Sequence, residues 1–335
     1  MIDGRVARSD VFAFRLPVRT DFRTSRGVVA GTSGGRTIIL VRLEAENGVA
    51  GWGEASPIPT WSPETVSSVV GILQQHFLPA SIGCSCTDLD GLHRKLDQLL
   101  APLWGLSAPI ARAGIDIAMY DLFGRLLGLP LAVLLGSQRR QSIQLSWTVT
   151  GSTPDVVASS LRAACERGFR SGNIKLGGAP SWDLELCRLA REAFPSGFLW
   201  GDANGGLPLA SARERALALQ AAGLDLLEQP LPPDRLAATA DLTARLHIPV
   251  ALDEPITSPA VLWELIQQRC LTALALKVTR TGGLLPSRRC VDLAEAAGLL
   301  LISSGLTDAG VAFAANVQLA AAYGIDLPCA LNGPQ

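Results

Sequence analysis

The strongest constraint on this chain is a set of apolar runs that each end in one charged residue at nearly constant spacing. Gly-Phe-Leu-Trp-Gly closes on Asp202, Leu-Asp-Leu-Leu on Glu228 and Pro-Val-Ala-Leu on Asp253, at steps of 26 and 25 residues. Lysine closes the run before them, Asn-Ile-Lys175, 27 residues earlier, and the run after them, Ala-Leu-Ala-Leu-Lys277, 24 residues later. A strand, a helix and two short loops take about 25 residues, so the repeat reads as successive βα units of a barrel. In such barrels the C-terminal strand ends carry the chemistry. Five neighbouring strand ends therefore present Lys, carboxylate, carboxylate, carboxylate, Lys.

The same pattern extends in both directions. Strands are expected to end near Thr148, Lys175, Asp202, Glu228, Asp253, Lys277, Ser303 and about Leu331, which makes seven βα crossovers and a terminal strand. Upstream the order changes: strand-like segments at 10–19, 36–45 and 48–54 come first, and helical patterns follow. Asn47-Gly48 is a two-residue hairpin signal. Ser62-Pro63-Glu64 reads as a helix start with Ser62 as N-cap, and apolar residues recur at helical spacing over 107–127. Strands then helices is an α+β order, distinct from the alternation that begins near residue 143. At 335 residues, one large barrel plus a smaller domain is the natural division.

Composition narrows the function classes. Apolar residues make up 48% and charged residues 18%, which supports a large core and speaks against disorder. With 29 basic against 30 acidic residues and no basic run longer than two, neither nucleic acid nor an anionic membrane is the expected partner. No apolar stretch is long enough to span a bilayer, and the first residues lack the apolar core of a signal peptide. The seven cysteines are scattered, with only Cys84 and Cys86 close together, which fits free thiols in a reducing cytoplasm. His76, His93 and His247 close none of the repeat runs, so zinc or a histidine triad is not expected.

Three carboxylates on adjacent strands suit a hard divalent cation, Mg²⁺ or alternatively Mn²⁺, and leave room for a chelating substrate. Asp202, Glu228 and Asp253 are thus the expected metal ligands. Lys175 and Lys277, on strands 2 and 6 of eight, stand across the barrel from each other with the acids on the arc between. Burial and a nearby cation both disfavour an ammonium, so either lysine suits proton transfer. Asn204, two residues after Asp202 and so on the same side in extended backbone, is a candidate for a ligand or substrate contact or, equally, a loop-capping residue. Glu254, facing away from Asp253, is a candidate for a supporting hydrogen bond or salt bridge. The chemistry such a site favours is removal of a proton next to a carboxylate, with the developing enediolate stabilised by the ion.

At this point the chain resembles the enolase superfamily, in its muconate-lactonizing (mandelate racemase/muconate cycloisomerase) branch, from about residue 10 to the end. The resemblance is carried by Gly-Asp202-Ala-Asn204-Gly, Leu-Glu228-Gln-Pro, Leu-Asp253-Glu254-Pro, Leu-Lys277-Val-Thr-Arg-Thr-Gly-Gly and Ala113-Gly-Ile-Asp-Ile-Ala-Met-Tyr-Asp-Leu. It implies an α/β fold: a modified TIM barrel, (β/α)₇β, over residues 131–335, with an N-terminal α+β capping domain over 1–130. The C-terminal tail is expected to fold back onto that cap. It also implies a magnesium-dependent isomerase, a cycloisomerase or a racemase/epimerase, acting on a small carboxylic acid, and a homo-oligomer. A dehydratase of the same superfamily is the alternative, and a Schiff-base aldolase using Lys277 is the alternative of another class.

Two departures stand out. Where relatives carry Lys-x-Lys on strand 2, this chain has Asn173-Ile-Lys175, so a cationic neighbour of Lys175 is replaced by an amide. Where dipeptide epimerases carry Asp-x-Asp on the last strand, it reads Ala330-Leu331-Asn332, which points away from a dipeptide. Asp308 stands near the place of a family glutamate after strand 7 and is a candidate substrate contact. The segment Pro17 to Gly31 and the turn ending at Trp61 are where the cap would select substrate, with Phe22 and Trp61 as a candidate apolar lid or, equally, core of the small domain. Gly31-Thr-Ser33-Gly-Gly35 matches the serine-hydrolase elbow, but a strand follows it, so it reads as a loop.

Overall fold

The computed structural model describes residues 4–19, 21–25, 27–102 and 105–331. The N-terminal part is an antiparallel sheet of three strands, β1 (Val6–Leu16), β4 (Arg36–Ala45) and β5 (Ala50–Ala55), in the order β1-β4-β5. Between β1 and β4 lies a separate hairpin, β2 (Phe22–Thr24) with β3 (Gly27–Ala30), which the sequence reading did not resolve. Gly31 to Gly35 forms the turn into β4, so the apparent nucleophile elbow is a loop. The β4–β5 connection takes four residues rather than two, with the Asn47 side chain accepting from the Val49 N–H.

Glycine makes the next contact possible. β5 lies directly on the long helix Pro109–Leu127: a Cβ at Gly53 would fall 1.8 Å from the Gly114 carbonyl oxygen, and one at Gly51 would fall 2.3 Å from that of Ala118. The alternating Gly-Trp-Gly of β5 thus lets backbone meet backbone, and Val41, Leu43, Ile115 and Leu122 seal the contact.

Seven parallel strands follow in sequence order: β6 (Trp147–Val149), β7 (Gly172–Lys175), β8 (Leu199–Asp202), β9 (Leu226–Glu228), β10 (Val250–Leu252), β11 (Ala273–Leu276) and β12 (Leu300–Ser303). Residues 329 and 330 close the ring, Cys329 bridging Leu145 ahead of β6 and Ala330 bridging Ser304 after β12. That is the (β/α)₇β barrel, its eighth strand reduced to one bridge on each side. Leu331 is the last described residue; Asn332, the following Gly-Pro and the expected return of the tail lie outside the described residues.

Two buried acids tie cap to barrel at helix N-termini, where unpaired N–H groups and the helix dipole favour a carboxylate. Glu54, closing β5, accepts from Ala309, Val311 and Ala312 N–H at the start of the helix Gly310–Tyr323. Asp116, on the long helix, accepts from Leu284 and Leu285 N–H at the start of Leu284–Ala296 and from His93 Nε2 at 2.8 Å.

Glu64 does the same work inside the cap, and the helix expected to start at Ser62 begins later. The helix spans Val66–Ile72 with Thr65 as N-cap, because Thr65 and Ser68 form a reciprocal capping box. Ser62 instead bonds the backbone of Ile58. Glu64 accepts from Ile110 N–H at 2.7 Å and Ala111 N–H at 3.2 Å, serving a helix whose own N-cap, Ala108, has no side-chain oxygen. Burial pushes the Glu64 carboxyl up to about 7, against the pull of those two N–H groups and Arg112. The native state therefore holds one proton more than the unfolded chain between its ordinary carboxylate pKa and about 7. Stability must fall as pH rises across that window, by on the order of 3 kcal/mol. Denaturant unfolding at pH 5 and pH 8 should show this slope in wild type and lose it in Glu64→Gln.

Candidate active site

The five run-ending residues meet at one mouth of the barrel. Lys175 pairs in register with Asp202, and Asp202 with Glu228, so β7, β8 and β9 deliver them side by side. Asp253 and Lys277 each stand one residue beyond their strands. Lys175 Nζ donates to Asp202 Oδ2 at 2.5 Å. Lys277 Nζ donates to Asp253 Oδ2 and lies 3.6 Å from Glu228 Oε1.

Among the described residues, no three acids, histidines or cysteines stand in ready metal-holding geometry. The carboxylates reach the same mouth but turn towards the two ammoniums, the nearest positive charges in a dry site. The donor set nevertheless fits a hard divalent cation. Glu228 Oε1 and Asp253 Oδ1 are buried and accept no hydrogen bond. Burial, and after it the neighbouring Asp202 carboxylate, push the Glu228 pKa up, against the pull of Lys277 and Lys175. Trp200, two residues before Asp202 on the inward face of β8, donates its indole N–H to Glu228 Oε2 and fixes that carboxylate.

Lys277 is only 2% exposed. Burial draws its pKa down; Glu228 opposes this and Arg280 reinforces it. Arg280 itself is pulled down to about 10 by burial. Trp61 reaches over from the cap and covers the mouth. Its ring centroid lies 4.8 Å from Lys277 Nζ, 5.8 Å from Lys175 Nζ and 5.5 Å from the Arg280 guanidinium carbon. The two lysine nitrogens can therefore be no farther apart than the first two of those distances laid end to end. Phe22 of β2 stands 6.2 Å from the Trp61 ring and 5.6 Å from Lys175 Nζ, so the two expected lid aromatics do form one cover.

Glu254 and Asn204 reach the site otherwise than strand alternation predicts. Glu254 was expected to face away from Asp253, yet its Oε1 accepts from Asn204 Nδ2 at 3.1 Å and Trp61 Nε1 at 3.3 Å, at the mouth. Alternation does not apply there, because β10 ends at Leu252. Asn204 likewise leaves extended backbone, with φ +45°. Its N–H caps Asp202 Oδ1 at 2.9 Å while its amide holds Glu254, so it arrives at the site through a turn.

Asn173 is buried on the same face of β7 as Lys175, and neither of its amide atoms has a hydrogen-bond partner. Asp308 is buried with both oxygens engaged, by Thr279 Oγ1, Leu306 N–H and Asn316 Nδ2, and is pushed up to about 6 chiefly by burial. Gln229 was missed by the sequence reading. Its Oε1 accepts from Asp253 and Glu254 N–H, both at 3.3 Å, and so positions the third acid. Its place directly after Glu228 was the available signal.

Residues 156–329 match the family described as enolase C-terminal domain-like, and residues 11–136 match the mandelate racemase/muconate lactonizing enzyme N-terminal domain. The chain belongs to that family and is an enzyme of the enolase superfamily. An N-succinylamino acid racemase of Thermus thermophilus is 34% identical, over 97% of this chain and 85% of that protein. Muconate cycloisomerase 1 of Rhodococcus opacus is 28% identical, over 89% and 80%. In structure, a dipeptide epimerase of Enterococcus faecalis complexed with Mg and L-Leu-L-Tyr superimposes with a TM-score of 0.90 at 25% identity, covering 98% of this chain and 90% of that one. Among the described residues, no helix is long and apolar enough to cross a membrane.

Proposed function

We propose that this chain is a divalent-metal-dependent racemase, epimerase or cycloisomerase that removes and returns the proton α to a carboxylate, with Mg²⁺ or Mn²⁺ as its ion. The observation that carries the reading is the pair of ammoniums, from β7 and from the end of β11, flanking the arc of Asp202, Glu228 and Asp253 beneath one aromatic cover. The relative at 34% identity makes an N-acyl amino acid the first substrate to test. We propose also that cap and barrel divide near residue 130, just after the long helix ends at Gly128.

Asp202, Glu228 and Asp253 would hold the ion, with Asn204, Gln229 and Glu254 orienting them. When bound, it supplies positive charge beside the substrate carboxylate, where negative charge grows as the α-proton leaves. Lys175 Nζ and Lys277 Nζ approach from opposite strands. For inversion, one takes the proton from one face and the other returns a proton to the second face. Burial draws Lys277 down towards the neutral form that a base requires, to a pKa of about 8. Trp61, 5% exposed, and Phe22 exclude water on the cap side.

In D₂O with Mg²⁺, NMR should show exchange of the α-proton of N-succinyl amino acids. Asp202→Asn should abolish that exchange and weaken Mg²⁺ binding, read by calorimetry, by roughly 100-fold while the chain stays folded. Undiminished exchange in this variant would remove Asp202 from the site.

A further inference from the structure

A cavity of about 1440 Å³ at the cap–barrel seam is lined by Lys175, Phe22 and Trp182 and also by Arg36 and Asp308. Arg36 is its unusual cation. Arg36 begins β4, and its Nε and Nη2 are shielded from solvent without a hydrogen-bond partner. Burial lowers its pKa, and only the longer-range pull of Asp308 and Glu54 opposes this.

Neither acid closes on the guanidinium, because each is already used. Glu54 caps the helix Gly310–Tyr323 and also accepts from Ser56 Oγ. Asp308 serves Thr279, Leu306 and Asn316. The other cations of the cavity differ: Arg19 is exposed to solvent, and Arg167 stacks on Trp147 at 5.4 Å and Phe169 at 5.9 Å. Shielding two guanidinium nitrogens without partners is costly, and the planar fork matches a carboxylate in two parallel hydrogen bonds.

The backbone that aims it is pinned. Gly35 has φ +61°, and a Cβ there would fall 2.6 Å from the Leu16 carbonyl oxygen, so the start of β4 is locked against the end of β1.

We propose that Arg36 is a specificity-determining anchor for a second carboxylate of the substrate, carried on an arm that runs from the reacting carbon at Lys175 along this cavity. The assignment rests on the isomerase reading for the position of the reacting carbon. It adds that the substrate is an N-dicarboxyacyl amino acid or a comparable diacid, bound through the carboxylate remote from the chemistry.

The test uses the Mg²⁺-loaded protein and two probes that differ only in that group, N-succinyl-L-phenylalanine and N-acetyl-L-phenylalanine. Calorimetry should show wild type preferring the succinyl probe by about 30-fold, and Arg36→Met reducing that preference to near 1. Arg36→Lys, which keeps the charge and loses the fork, should fall between. Thermal unfolding of Arg36→Met without ligand should come no lower than wild type, because the variant removes a half-buried charge with two shielded nitrogens that lack partners.

Equal binding of the two probes by wild type overturns the assignment, as does binding of neither. So does an equal loss of both probes in Arg36→Met together with a lower unfolding temperature, which would mark a structural arginine. Exchange of the α-proton is read separately in the same samples. A selective loss of succinyl binding without any exchange in wild type keeps Arg36 and overturns the isomerase reading. Exchange of both probes with an unchanged preference does the reverse.

Discussion

Lys277→Met is expected to lower turnover by about 10²–10⁴-fold, the range for losing a positioned proton-transfer group. Among the described residues its ammonium is the one hydrogen-bond donor on Asp253 Oδ2, and it lies 3.6 Å from Glu228 Oε1. The variant should therefore leave two buried carboxylates short of positive charge, and removing one partner of a buried pair costs roughly 3–5 kcal/mol. A divalent cation would supply the missing charge. The unfolding temperature of Lys277→Met should thus be low in chelator and rise on adding Mg²⁺ by more than it does in wild type. Turnover within 10-fold of wild type would exclude Lys277 from proton transfer, and a chelator-insensitive unfolding temperature would exclude the acids as the metal site.

The second large effect lies away from the chemistry. Asp116→Ala should destabilise the protein by about 3–5 kcal/mol, because it orphans Leu284 N–H, Leu285 N–H and His93 together. A Cβ at Gly283 would fall 2.4 Å from Asp116, so helix and acid are fitted to each other and water has little room to compensate. Metal binding and activity should survive in the folded fraction. Denaturant titration, with Mg²⁺ affinity measured at low denaturant, checks both. A loss below 1 kcal/mol would mean that the cap is held mainly by apolar contact.

Asp116 lies inside the segment Ala113 to Leu122 that carries part of the family resemblance, yet nothing local discloses its partner. The helix it serves begins 168 residues later. Glu54 is the same case, with its helix more than 250 residues away. Arg36 is harder still. An arginine at the start of a strand is ordinary in sequence, and only the seam between cap and barrel shields its guanidinium while Glu54 and Asp308 are occupied elsewhere.

The barrel and its five charged strand ends were legible for a physical reason. A βα unit has a set length, and a residue that closes a strand is carried to the mouth whatever its neighbours do, so spacing alone orders Lys175, Asp202, Glu228, Asp253 and Lys277 around the ring. Alternation of side chains holds only while the backbone stays extended. One or two residues past the strand ends it misplaced Glu254 and was the wrong reason for Asn204, whose φ is positive. The contact of Trp61 with both lysines, the capping by Glu54 and Asp116, and the setting of Arg36 join segments far apart in the chain. Burial and hydrogen-bond competition across the cap–barrel seam decide them, and those exist only once the chain has folded.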